Sequence, residues 1–129
     1  MTRKTALWTG RILTGLVVAF LAFDLTIKLL GLPAAEQATR QLGFPDGTLV
    51  GLGITQLICL IVYLIPRTAV IGAVLWTGYL GGAIATHLRM GGPAFSLVFP
   101  LIVAAMLWGG LYLRDRRARL VIAPPLAIA

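Results

Sequence analysis

Cysteine, histidine and acidic side chains are all scarce in this chain, which has one Cys (Cys59), one His (His87) and four Asp or Glu among 129 residues. A lone cysteine excludes an internal dithiol, and with it disulfide exchange within the chain. A lone histidine excludes two-His haem ligation and the His-rich sets of structural metal sites, so no metal is expected. The sequence has no glycine-rich phosphate loop, nucleophile elbow or HExxH pattern, and so no self-contained catalytic motif. No internal repeat is visible, which weakens an inverted-repeat transporter. Charge is scarce too. Charged residues make up 12% of the chain and hydrophobic ones 59%, against roughly 25% charged in a soluble domain. Such a chain cannot coat a water-soluble globule.

Long apolar runs take the place of charge. They extend over Arg11–Leu30, Leu49–Ile65, Ala69–Leu88 and Phe95–Leu113. About 20 helical residues at ~1.5 Å each cross a hydrocarbon slab of ~30 Å. The expected fold is therefore an all-α membrane protein, an antiparallel bundle of four transmembrane helices forming one domain over residues 1–129, with a basic tail at 114–129. Arg3 and Lys4 before an apolar stretch resemble a signal peptide. However, bulky Phe20 stands where a cleavage site needs a small residue, so an uncleaved first span is expected.

The formal charge of +7 does not point to nucleic acid, because the basic residues flank spans and do not line a soluble face. Arg3, Lys4, Arg11, Arg67, Arg114, Arg116, Arg117 and Arg119 share one side; Arg40 and Arg89 share the other with Glu36 and Asp46. A multi-pass protein of the cell membrane with both termini cytoplasmic is the expectation. Trp8, Tyr63, Trp108 and Tyr112 fall near the cytoplasmic face and are expected to anchor it.

The one long connection, Gly31–Thr48, then lies outside. Pro33–Leu42 reads as a short surface helix stopped by Gly43, or alternatively as a lid over something bound from that side. Phe44–Gly47 reads as a turn. The other connections are short. Within lipid, helices associate through small residues that let backbones approach. Gly78, Gly82 and Ala85 fall on one face of the third span with Ile71 and Val74, and that face is assigned to helix packing, within the chain or in a homo-oligomer. Gly51, Gly53, Gly72, Gly109 and Gly110 are further candidate contact points.

Polar groups within the spans are the candidate site. A charge at the centre of a span costs about 2.5–3.5 kcal/mol on insertion scales. Asp24 is expected to face inward, paired at i,i+4 with Lys28. Gln56, Cys59 and Tyr63 share one face of the second span, and Gln56 lies at nearly the depth of Asp24, close enough for a hydrogen bond. His87 and Arg89 end the third span on opposite sides. Asp24, Lys28, Gln56, His87 and Arg89 thus gather in the outer half of the bilayer, either as a ligand-binding cluster or as glue and snorkelling charges.

The stretches LGFPDG, PRTAVIGAVLWTGYLGGAIATHLR and the last span with its RDRRARLVIAP tail resemble the DoxX-like family of small four-span membrane proteins, over roughly residues 10–124. Gly78–Ala83 leading into Thr86–Arg89, and Trp108–Asp115, carry it most specifically. The family takes its name from a subunit of a thiosulfate–quinone oxidoreductase. The resemblance implies a non-catalytic or accessory subunit that binds a membrane-associated redox protein. A quinone is compatible with that redox connection, and Gln56, Tyr79, His87 and Arg89 of the polar cluster could then hydrogen-bond its carbonyl, with Asp24 and Lys28 managing a proton. The related vitamin K reductase-like proteins use cysteine pairs, which are absent here. A small-molecule carrier or channel, and a scaffold or chaperone-like role, are the alternatives. A carrier needs a path through the cytoplasmic half, which is rich in Leu, Ile, Val and Ala.

Overall fold

A computed structural model describes residues 2–122, and all regular structure among them is helical. The helices are α1 (Arg3–Leu29), α2 (Pro33–Gln41), α3 (Thr48–Leu64), α4 (Ala69–Arg89), α5 (Ala94–Arg114) and α6 (Arg116–Ile122), with one 3₁₀ turn at Pro66–Thr68 before α4. Arg3–Leu29, Pro66–Arg89 and Ala94–Arg114 are each long and apolar enough to cross a membrane; Thr48–Leu64 is apolar but shorter, at 17 residues.

Local chemistry sets the ends. The Thr2 hydroxyl accepts from the Thr5 amide at 3.2 Å, a capping bond that starts α1 two turns before the apolar run. At ~1.5 Å per residue, its 27 residues span about 40 Å. Arg3 and Lys4 therefore lie beyond the apolar stretch. Gly43 and Gly47, both at φ 87°, and Gly91, at φ 68°, take left-handed conformations in the turns after α2, before α3 and after α4. Asp115, extended at φ −123°, separates α5 from α6. The described part of the basic tail is thus a helix whose Ala118 is fully buried; residues 123–129 lie outside the described region.

α1 packs on α3 and α5, and α4 packs on the same two helices. Each turns one stripe inward: Gly10, Val17, Leu21 and Leu25 on α1; Leu49, Gly53, Gln56, Cys59, Leu60 and Tyr63 on α3; Ala69, Gly72, Ala73, Trp76 and Leu80 on α4; Pro100, Val103, Leu107, Gly110 and Leu111 on α5. The outward faces carry many large apolar side chains, including Ile12, Leu16, Phe23, Ile58, Ile61, Leu101 and Ile102. Water would penalise so much exposed apolar surface, whereas lipid solvates it.

Within the chain the glycine contacts correct the expected packing face, and they leave the homo-oligomer alternative untouched. A Cβ at Gly78 or Gly82 would meet nothing within 4 Å, and Ala85, Ile71 and Val74 are exposed. The cause is Trp76, which is 0% exposed and fills the centre. At ~100° per residue, Ala85 lies opposite Trp76, and Gly78 and Gly82 point away with it. The close approaches are elsewhere. A Cβ on Gly72 would sit 2.3 Å from the Tyr63 backbone, one on Gly10 would sit 2.8 Å from the Gly110 carbonyl, and one on Gly53 would sit 3.0 Å from Leu29. Gly51 and Gly109 have open space. Tyr63 is a second correction. It is no interfacial anchor but is 0% exposed, and its hydroxyl donates to the Leu107 carbonyl at 2.7 Å.

Candidate functional site

Near the α2 end, the four long helices leave a cavity of about 710 Å³. That is within the range of ordinary small-molecule sites, ~300–1,000 Å³. Its wall is mainly apolar. Leu21, Leu80 and Val103 line it, as do Phe20 and Phe99, whose rings meet edge to face at 5.3 Å. Pro100 contributes from inside α5, where it has no N–H to give to the Ser96 carbonyl. Ala34, Ala35, Ala38, Thr39 and Leu42 of α2 and its C-cap, with Phe44 beyond, line the end of the cavity. α2 is held there by Arg40, which bonds Glu36 at 3.2 Å and Asp46 at 2.8 Å and so ties the helix to the turn that follows.

The polar edge of the cavity is built on Asp24. Its Oδ2 accepts from Lys28 Nζ at 2.7 Å and from Gln56 Nε2 at 2.9 Å. The first partner follows from i,i+4 spacing on α1, the second from the buried stripe on α3. Lys28 Nζ also donates to the Tyr79 hydroxyl at 3.4 Å and lies 5.8 Å from the Tyr79 ring centroid. The Tyr79 ring meets Trp76 edge to face at 5.7 Å, which fixes it on α4. A carboxylate with two donors, one of them an ammonium, tolerates low dielectric far better than a bare one.

One atom in this network has nothing to bond. Gln56 is 2% exposed, and its Oε1 is buried without a hydrogen-bond partner. Rotating the amide by 180° would aim Oε1 at the Asp24 carboxylate, two acceptors facing each other, so Asp24 fixes the amide as it stands. Gln56 therefore presents an acceptor. Leaving it unmet costs about 1–3 kcal/mol. Trp76 Nε1 is a second buried group without a partner, but Trp76 does not line the cavity.

The remaining expected site residues divide. His87 lines the cavity, and its Nδ1 lies 2.8 Å from the Ala83 carbonyl. A carbonyl can only accept, so Nδ1 carries the hydrogen and neutral His87 keeps Nε2 as an acceptor. Arg89 does not join the cluster. It is exposed, and its guanidinium donates to the Leu42 carbonyl at 3.2 Å, holding the end of α2. Two residues beyond His87 on a helix, it points to the other side, and only its long side chain reaches back. Gly78 and Gly82, expected as packing residues, instead line the cavity. Phe20, Phe99 and Pro100 were not expected at the site; a Pro inside an apolar run was the available signal for the last, and the two Phe gave none.

Apolar helices of membrane-crossing length, lipid-compatible outer faces and polar groups paired inward define an integral membrane protein in contact with the bilayer. The sequence model of the DoxX-like family matches residues 12–110, and the chain belongs to that family. Comparisons with curated proteins and with solved structures return no match.

Proposed function

We propose that this protein crosses the cell membrane four times as one antiparallel bundle, holding a small amphipathic molecule in its outer half as a non-catalytic subunit of a membrane redox system. In this reading α3, at 17 residues, is the fourth span. The basic residues Arg3, Lys4, Arg11, Arg67 and Arg114 to Arg119 put both termini in the cytoplasm. α2 is then extracytoplasmic and caps the cavity as a lid. Single-cysteine labelling from either side, at Thr2 and Gln37 in a Cys59→Ala background, tests this topology; equal labelling from one side would overturn it.

The observation that carries the ligand is the unpartnered Gln56 Oε1 beside a cavity of about 710 Å³. An amphiphile with one hydroxyl or N–H donor satisfies that atom and fills the apolar remainder. A quinone, which family membership suggests, fits these groups in either form. Its carbonyl would accept from the Tyr79 hydroxyl or Lys28, and the quinol hydroxyl would donate to Gln56. Such a molecule supplies two-electron, two-proton exchange with a partner protein, while this chain binds and orients it. Asp24 and Lys28 keep a proton-exchanging pair at the cavity's edge.

Packing argues against a carrier. Between the cavity and the basic end lie Tyr63, Trp76 and Leu111 at 0% exposure and Leu107 at 1%, a closely packed layer among the described residues. Purification in mild detergent followed by lipid and protein mass spectrometry tests the proposal. One small amphipathic molecule is expected near one-to-one stoichiometry, together with a redox protein. A chain without any bound small molecule would remove the ligand, and one that mediates solute flux in liposomes would restore the carrier.

A further inference from the structure

At the opposite end of the molecule, α1, α3 and α5 enclose a groove of about 300 Å³ lined by Arg11, Thr14, Gly15, Val18, Leu64 and Arg114. Arg11 opens the first apolar run and Arg114 follows the last, so both guanidinium groups stand where hydrocarbon gives way to headgroups. Arg114 is half-buried. Its Nε donates to Thr14 Oγ1 at 2.9 Å, and its guanidinium lies 5.5 Å from the Tyr63 ring centroid. Arg11 lies 5.4 Å from the Trp8 ring centroid. Among the described residues neither has a carboxylate partner, since the ion pairs there belong to Lys28 and Arg40. Two arginines thus face one groove without an acid to neutralise them.

Thr14 adds a donor. Thr26, Thr55, Thr77 and Thr86 each give their O–H to the carbonyl four residues back, at 2.6–2.8 Å. Thr14 does not. Its oxygen accepts from Arg114, and its own hydrogen meets no acceptor among the described residues. Below the polar rim the groove is apolar, with open space over Gly15 and with Val18 and Leu64 alongside.

From this convergence we propose that the groove binds the phosphate of an anionic phospholipid. Arg11 and Arg114 bind the phosphodiester oxygens, the Thr14 hydroxyl donates to a third, and one acyl chain lies over Gly15 against Val18 and Leu64. Guanidinium donors match phosphate geometry, and basic pockets between helices at the cytoplasmic surface favour anionic headgroups.

The whole chain in mild detergent, titrated with phosphatidylglycerol or phosphatidylcholine and read by native mass spectrometry, tests this. Phosphatidylglycerol should be retained in preference, and excess inorganic phosphate should not displace it. Arg11→Gln and Arg114→Gln should each lower its retention about fivefold, the factor for ~1 kcal/mol per basic residue. Arg11 is exposed and makes no side-chain hydrogen bond or ion pair among the described residues, so Arg11→Gln decides even where Arg114→Gln loosens the fold. Arg67→Gln, at the same end but outside the groove, should leave retention unchanged. Equal retention of the two lipids, displacement by inorganic phosphate, an equal loss in Arg67→Gln, or no loss in Arg11→Gln would overturn the assignment.

Discussion

Replacing Gln56 with Met distinguishes a residue kept for binding from one kept for stability. The side chain is 2% exposed, donates one hydrogen bond to Asp24 at 2.9 Å and keeps one unpartnered carbonyl oxygen. Losing an interhelical bond of this kind costs about 0.6 kcal/mol on average and up to ~1.7 in membrane proteins. Removing the unmet acceptor returns about 1–3 kcal/mol. Met follows the same path with similar volume, so little cavity is created. The two main effects nearly cancel. Gln56→Met should therefore fold with stability within ~1 kcal/mol of wild type or slightly above it, a shift of a few degrees in Tm. Retention of the copurifying amphiphile should fall about tenfold, because its donor would face a thioether.

Thermal unfolding in detergent and mass spectrometry of the same preparations read the two quantities independently. A loss of more than ~3 kcal/mol would mean that the amide holds the helices together and that the orphaned oxygen has been overvalued. Unchanged stability with unchanged retention would remove Gln56 from the binding site.

Lys28→Met leaves the Asp24 carboxylate with Gln56 alone and should destabilise the protein by about 3 kcal/mol, while adding Asp24→Leu should recover most of that. Strictly additive losses in this cycle would deny the pairing. Gly72→Ala should cost at least ~2 kcal/mol, because its Cβ would meet the Tyr63 backbone at 2.3 Å, whereas Gly82→Ala should be neutral or stabilise by up to ~1 kcal/mol. The reverse order in detergent melts would return the packing face to Gly78 and Gly82. Tyr63→Phe should lower stability by about 1 kcal/mol through loss of the bond to the Leu107 carbonyl, and an unchanged Tm would place that hydroxyl in contact with water.

What the sequence made legible follows from where chemistry is costly. Asp24 in an apolar run had to find a partner, and i,i+4 spacing named Lys28. Matching depth on the next run named Gln56. α2 was legible within one residue because Pro33 and Gly43 punctuate it. Rotation about a helix axis was harder to read. In lipid both faces of a span are apolar, so the hydrophobic pattern that orients a soluble helix is missing, and small residues became the only guide. On α4 that guide missed the contact face within the chain, because bulky Trp76 takes the centre and Gly78 and Gly82 border the cavity against no neighbouring helix. It also missed Gly10 on α1, whose role appears only once α5 brings the Gly110 carbonyl against it. Arg89 was misplaced for another reason. Depth put it with His87 although the two were read on opposite sides of the span, and its side chain bonds the Leu42 carbonyl instead.

The two halves of the molecule are different because close contacts are distributed unevenly along it. At the basic end Gly10 meets Gly110 and Gly72 meets Tyr63, backbone against backbone with no side chain between. At the α2 end the tightest of these approaches is Gly53 against Leu29, whose side chain would lie 3.0 Å and whose backbone nitrogen 3.3 Å from a Cβ there. α1 and α4 each pack on α3 and α5, which leaves the space between α1 and α4 to side chains, and near the α2 end that space holds the cavity of about 710 Å³. Along its polar edge Asp24 and Gln56 bond across α1 and α3. A Cβ at Gly72 or Gly110, in contact with no cavity residue except through the helix it belongs to, would wedge the basic end open and so change the shape of the cavity proposed to hold a ligand.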